Sequence, residues 1–88
     1  MAKMKLEKLL PVVIQRLEVV KQHSNVMEFK EKLRASGNYN KFEVRFAWEV
    51  CQAVFSTKEI CHWYDEYECN DDHITTLFIA ACRKTGLL

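Results

Sequence analysis

The sequence predicts an all-α fold, a compact bundle of about five short helices. Three observations lead there. Apolar residues recur at helical spacing along most of the chain, helix-start pairs precede several of these stretches, and Gly (2) and Pro (1) are scarce among 88 residues. The length suits one helical domain, residues 1–88, because single domains usually run ~100–200 residues. Hydrophobic residues make up 49% and charged residues 28%, the balance of an ordinary soluble globular protein. A chain this short buries only about 60–65% of its unfolded surface, so nearly every apolar face is needed for the core.

In the first stretch Leu6, Leu9, Leu10, Val13, Leu17 and Val20 fall on one helical face. Pro11 interrupts it, and a proline is tolerated in the first turn of a helix, where its missing N–H has no partner to lose. The expectation is a helix from about Pro11 to Gln22, preceded by a short helical turn. Asn25 and Glu28 form a start pair for a second helix near 26–36, whose face is Val26, Phe29 and Leu33 and whose stop is Gly37.

Residues 40–56 read two ways. Phe42, Val44, Phe46, Trp48 and Val50 alternate as in a strand. Against this, Asn40 and Glu43 form another start pair, and Arg45, Glu49 and Gln52 make one narrow polar stripe on a helical wheel. No second strand is evident to pair with. A central helix is the expectation, and an α+β fold with one strand near 42–50 is the alternative.

Ser56 and Glu59 make a capping box, followed by Ile60, Trp63, Tyr64 and Tyr67 at helical spacing. The last helix is capped by Asn70 or Asp71 and buries Ile74, Leu77, Phe78, Ala81 and Cys82. Asp71 and Asp72 sit at its positive end, Arg83 and Lys84 at its negative end, and Gly86 stops it.

The net charge is +1, but residues 1–45 hold ten Lys/Arg against five Asp/Glu, and residues 46–88 hold three against seven. Such a split points to partners more than to folding. The run Leu9 to Ile14 is too short to span a bilayer or serve as a secretory core. The expected setting is cytoplasmic, with Cys51, Cys61, Cys69 and Cys82 as reduced thiols.

No motif names a reaction, and neither an enzymatic role nor a cofactor is expected. The cysteines and His73 contain no C-x2–4-C pair, so no metal site is expected. Cys69 and His73 are the only two at a spacing that shares a helix face. Cys61 and His62 are neighbours pointing ~100° apart, which makes no dyad.

The segment Glu59–Asp72 carries six acids and no Lys or Arg around three aromatic residues. Acids around partly exposed aromatic anchors suit docking on the basic surface of another protein. The residues assigned to that contact are Glu59, Trp63, Asp65, Glu66, Tyr67 and Glu68, and the role is that of a small regulator, inhibitor or adaptor. The competing reading packs the aromatics inward and leaves the acids as a solvated face. Opposite charge on the two halves also permits a homo-oligomer. The alternative function is nucleic-acid binding through the basic half, with Lys30, Lys32, Arg34 and Lys41 on phosphate and Tyr39 and Phe42 available for stacking. A helix-turn-helix made by the last two helices is disfavoured, because Asp71 and Asp72 occupy the end that would enter the groove.

Overall fold

The computed structural model describes residues 2–21, 23–37 and 39–88. Among the described residues five α-helices follow one another: α1 Leu10–Val20, α2 Ser24–Ala35, α3 Tyr39–Val54, α4 Thr57–Glu66 and α5 Asp71–Thr85. To this all-α bundle is added one small parallel pair, β1 Met4–Lys5 with β2 Tyr67–Glu68, in which Met4 faces Tyr67 and Lys5 faces Glu68. Among the described residues no helix is long and apolar enough to cross a membrane.

Pro11 lies in the first turn of α1, behind a 3-10 turn at Leu6–Lys8, as its missing donor requires. Leu9, Val13 and Leu17 are fully buried. The predicted end at Gln22 lies outside the described residues, as do the side chains of Tyr39 and Asn40. Helix α2 begins earlier than expected. His23, in the extended conformation a cap position needs, precedes it without a side-chain cap bond, so Asn25 is inside the first turn and does not cap. Gly37 follows at φ +77°, the left-handed geometry that only glycine takes readily.

The ambiguous segment is helical, and burial shows why. A strand would place Phe42, Val44, Phe46, Trp48 and Val50 on one face, yet Val44 is 41% exposed while Ala47 and Cys51, outside the alternating set, are fully buried. The strand near 42–50 is therefore not formed. Position Asn40 is inside α3, which starts at Tyr39.

Helix α4 has the complete capping box, with Glu59 N–H donating to Ser56 Oγ at 3.1 Å and Ser56 N–H donating to Glu59 Oε1 at 3.4 Å. Ser56→Ala is expected to cost about 1 kcal/mol in urea unfolding; an unchanged midpoint would show that the box does nothing for the fold. In α5 the cap is Asn70, whose Oδ1 accepts from His73 N–H at 2.9 Å. Gly86 at φ +85° turns the chain so that Leu87 N–H returns to the Cys82 carbonyl at 2.9 Å and the Leu87 side chain enters the core.

The core centres on Phe78. Trp48 packs edge-on against it at 5.0 Å and Trp63 at 6.3 Å, and Trp63 also meets Phe55 at 4.8 Å. The one polar handle of Trp48 is satisfied by Nε1–H donating to Thr75 Oγ1 at 2.8 Å.

The charge split is used inside the fold. Lys3 Nζ donates to the Tyr64 carbonyl at 2.9 Å, Arg16 to the Val54 carbonyl at 3.2 Å, and Lys21 to the Thr85 carbonyl at 3.4 Å. Those carbonyls lie in the last turns of α4, α3 and α5, where partial negative charge gathers and acceptors lack partners. Arg16 also lies over the Phe55 ring at 4.9 Å. The split, expected to point to partners more than to folding, also serves the fold, since cations of the first twenty-one residues close the ends of three later helices.

Candidate functional site

The acidic segment forms the outward side of α4 and the strand that follows it. Glu59, Asp65 and Glu68 are exposed and Glu66 is half-buried. Trp63 and Tyr67 are not there. They are 7% and 8% exposed and belong to the core with Ile60. The expected partial exposure of these aromatics is thereby corrected: Trp63 falls with Ile60 on the inward stripe of α4, and Tyr67, just past the end of that helix, is buried where β2 pairs with Met4. Tyr64 sits off the stripe and is half-exposed; its hydroxyl donates to Asp71 Oδ1.

The six assigned residues therefore divide. An open hollow of about 500 Å³ along the outer side of α4 is lined by Glu59, Asp65, His62, Cys61, Lys58 and Ser56. Glu66 lies one turn beyond His62 and accepts from its Nε2 at 2.8 Å. Glu68 is outside this lining, on β2, where the parallel register sets it opposite Lys5.

Burial, then the hydrogen bond to Asp71, pushes the Tyr64 phenol well above its ordinary value near 10. The neutral phenol is the form the fold favours, so its contribution is complete below pH ~10 and is lost as the pH rises toward its folded value. Stability measured by urea midpoints is expected to fall more steeply above pH ~10 in the parent chain than in Tyr64→Phe. Parallel slopes would remove Tyr64 as the cause.

The basic residues lie elsewhere. Lys32, Arg34 and Lys41 are exposed and Lys30 is half-buried. Lys30, Lys32 and Arg34 belong to α2, while Lys41 is in the first turns of α3. Arg34 is within 3.9 Å of Glu31 and over the Phe42 ring at 5.9 Å. Lys41 shares a hollow of about 190 Å³ with Arg45, Phe42, Leu33 and Ser36. Between α4 and α5 the chain runs through the extended pair Tyr67–Glu68, and Asp71 and Asp72 are exposed at the start of α5.

The cysteine and histidine candidates are committed to local bonds. Cys69 donates to the Trp63 carbonyl at 3.9 Å, and His73 Nδ1 accepts from Asn70 N–H at 3.4 Å, so the pair does not converge. Among the described residues no three His, Cys, Asp or Glu side chains meet as metal ligands. All four cysteines are free, with Cys51 and Cys82 buried and Cys61 exposed. The Cys51 thiol is held protonated by its hydrogen bond with Cys82 and by burial. Burial also raises Cys69, with Lys3 opposing and Asp71 adding to the shift.

Two hollows were not legible in the sequence. One, of about 260 Å³, lies between α1, α2 and α3; another, of about 340 Å³, lies between the 3-10 turn and α5 and is lined chiefly by Leu6, Leu10, Leu77 and Ala80. Each requires helices from distant parts of the chain to meet. No protein-family profile, characterised protein or solved structure matches this chain.

Proposed function

We propose that the chain is a small non-enzymatic regulator, inhibitor or adaptor of the cytoplasm, which docks the acidic outer face of α4 on the basic surface of another protein. One observation carries this reading. Among the described residues Glu18, Glu31 and Glu43 are paired with Lys21, Arg34 and Arg83, whereas no Lys or Arg pairs with Glu59, Asp65, Glu66 or Glu68. Three of the five acids of the basic half thus have a cationic partner within the fold, whereas on α4 only Glu66 has one, the His62 ring, and Glu59 and Asp65 are left to solvent. Unpaired charge of one sign steers a partner of the other sign and fixes its orientation more than it adds raw affinity. With Trp63 and Tyr67 inside the core, the contact is polar and its strength depends on salt.

Nucleic-acid binding through Lys30, Lys32, Arg34 and Lys41 ranks second. Lys3, Arg16 and Lys21 are already engaged at helix ends, and Arg34 has Glu31 beside it.

Capture of the tagged chain from native lysate, with and without nuclease, tests both readings. A stoichiometric protein that survives nuclease is expected, and Asp65→Lys with Glu66→Lys is expected to abolish its binding while leaving the melting temperature unchanged. Equal partner affinity in the reversed variant would reduce the acidic face to a solvated surface. Loss of all capture on nuclease treatment moves the function to the basic half, where Lys30→Glu with Lys32→Glu then flattens the salt dependence.

A further inference from the structure

Helix α2 is the least embedded helix of the bundle. Its residue with the deepest burial is Leu33, still 9% exposed, and Val26 and Phe29 are only half-buried. It leans on α3 through Phe29, stacked at 6.0 Å on Phe46, and through Leu33 beside Phe42.

The seam between the two helices is left incompletely filled at both ends. Near α1, Val20, Val26, Phe29, Val50 and Ala53 line the 260 Å³ hollow, with Asn25 and Glu49 at its edge. Near Gly37, Lys41, Arg45 and Ser36 surround the 190 Å³ hollow over Leu33 and Phe42. On α2 the residues concerned, Val26, Phe29, Leu33 and Ser36, follow at i, i+3, i+7 and i+10. On α3, Phe42, Arg45, Glu49 and Ala53 follow at i, i+3, i+7 and i+11. Each set is one helical stripe, so the two hollows lie in line along one seam. From Val26 to Ser36 the seam runs ~15 Å, the length of about three helical turns.

We propose that this seam is a second docking surface, and that its occupant is an acidic amphipathic helix of another protein. The apolar hollow takes the aliphatic side chains of such a helix, and Lys41 and Arg45 take carboxylates about two turns further on. Charge selects the occupant: Lys41 and Arg45 line the hollow near Gly37 and Lys30, Lys32 and Arg34 follow along α2, while of the acids nearby Glu31 is beside Arg34 and Glu43 is bound to Arg83. A nucleic-acid strand laid along the same seam would bring phosphates over Glu49 and an apolar floor. The surface is separate from the acidic face of α4 and opposite to it in sign, so an adaptor joining an acidic and a basic partner is the arrangement it implies.

The test uses the full chain, labelled with nitrogen-15, and three probes. They are a peptide of Leu, Ala and Glu with an amphipathic helical pattern, a scrambled isomer of the same composition, and a single-stranded oligonucleotide. The patterned peptide is expected to shift the amides of Val26, Phe29, Val50, Ala53, Lys41 and Arg45 and to bind at least about tenfold more tightly than its isomer. Lys41→Glu with Arg45→Glu, and separately Ala53→Phe to fill the apolar hollow, are each expected to weaken it about tenfold without lowering the melting temperature. Asp65→Lys with Glu66→Lys leaves it unchanged, which separates this surface from the α4 face. No binding of the patterned peptide, equal binding of the isomer, indifference to both seam variants, or displacement of the peptide by the oligonucleotide overturns the proposal.

Discussion

Trp63→Ala is expected to remove a fifth or more of the stability of this chain. The side chain is 7% exposed and lies edge-on to Phe55 at 4.8 Å and Phe78 at 6.3 Å, so truncation loses its burial and leaves a cavity that neighbouring rings cannot close. Such losses run ~3–5 kcal/mol, against a total of ~5–15 kcal/mol for a small domain. Urea unfolding followed by circular dichroism reads the effect directly. Asp65→Lys, two residues along the same helix on its wet side, is the matched control and is expected to stay within ~0.5 kcal/mol of the parent. A loss below ~1 kcal/mol for the tryptophan variant would contradict its place in the core and return it to the surface. Function lost in Trp63→Ala is accordingly a folding defect and says nothing about partner contact.

Thiol labelling is expected to divide the four cysteines sharply. Cys61 is exposed and modified first; Cys69, half-buried and raised by its surroundings, follows more slowly. Cys51 and Cys82 are both fully buried and meet each other between α3 and α5. The thiolate is the reactive form, so Cys51 lacks both the access and the ionisation that a disulfide reagent needs. These two are modified only when the bundle opens, and if opening is global a stability of ~5 kcal/mol slows them by ~10³–10⁴-fold. Two thiols titrated in native buffer, one fast and one slower, and four in denaturant, is the expected count. Rapid labelling of all four under native conditions would mean that α3 and α5 separate far more cheaply than the rest of the core.

Local signals held where a side chain closes a helix end, and failed at Asn25 and Asn40, which lie inside α2 and α3. The start of α4 follows from Ser56 and Glu59, the ends of α5 from Asn70 and Gly86, and all of these form as the local chemistry requires. Trp63 and Tyr67 sit among acids in the sequence, but Trp63 shares the inward stripe of α4 with Ile60, and Tyr67 is buried at the β2 pairing with Met4, which has no local signal. The β1–β2 pair had no local signal, because two residues at each end of a long separation meet only after the helices have packed. The same holds for Lys3, Arg16 and Lys21 as closures of helix ends. Of the candidate surface, the acidic residues were legible and their freedom from Lys or Arg partners was not, since pairing is decided by tertiary neighbours.

The parallel strand pair has a consequence for how the chain assembles. Met4 is matched to Tyr67, and Lys21 to Thr85 at the other end of the α1–α5 contact, so the first helix completes its packing against the last. During synthesis α1 can meet α3 first, but the larger contact of its apolar stripe, that with α5, waits until residues 71–85 have emerged. A helical protein of this size would ordinarily assemble from near neighbours and fold quickly, but closing so long a loop before its contacts are gained places this one among the slower helical folders. The waiting stripe is also the surface through which nascent copies would adhere to one another.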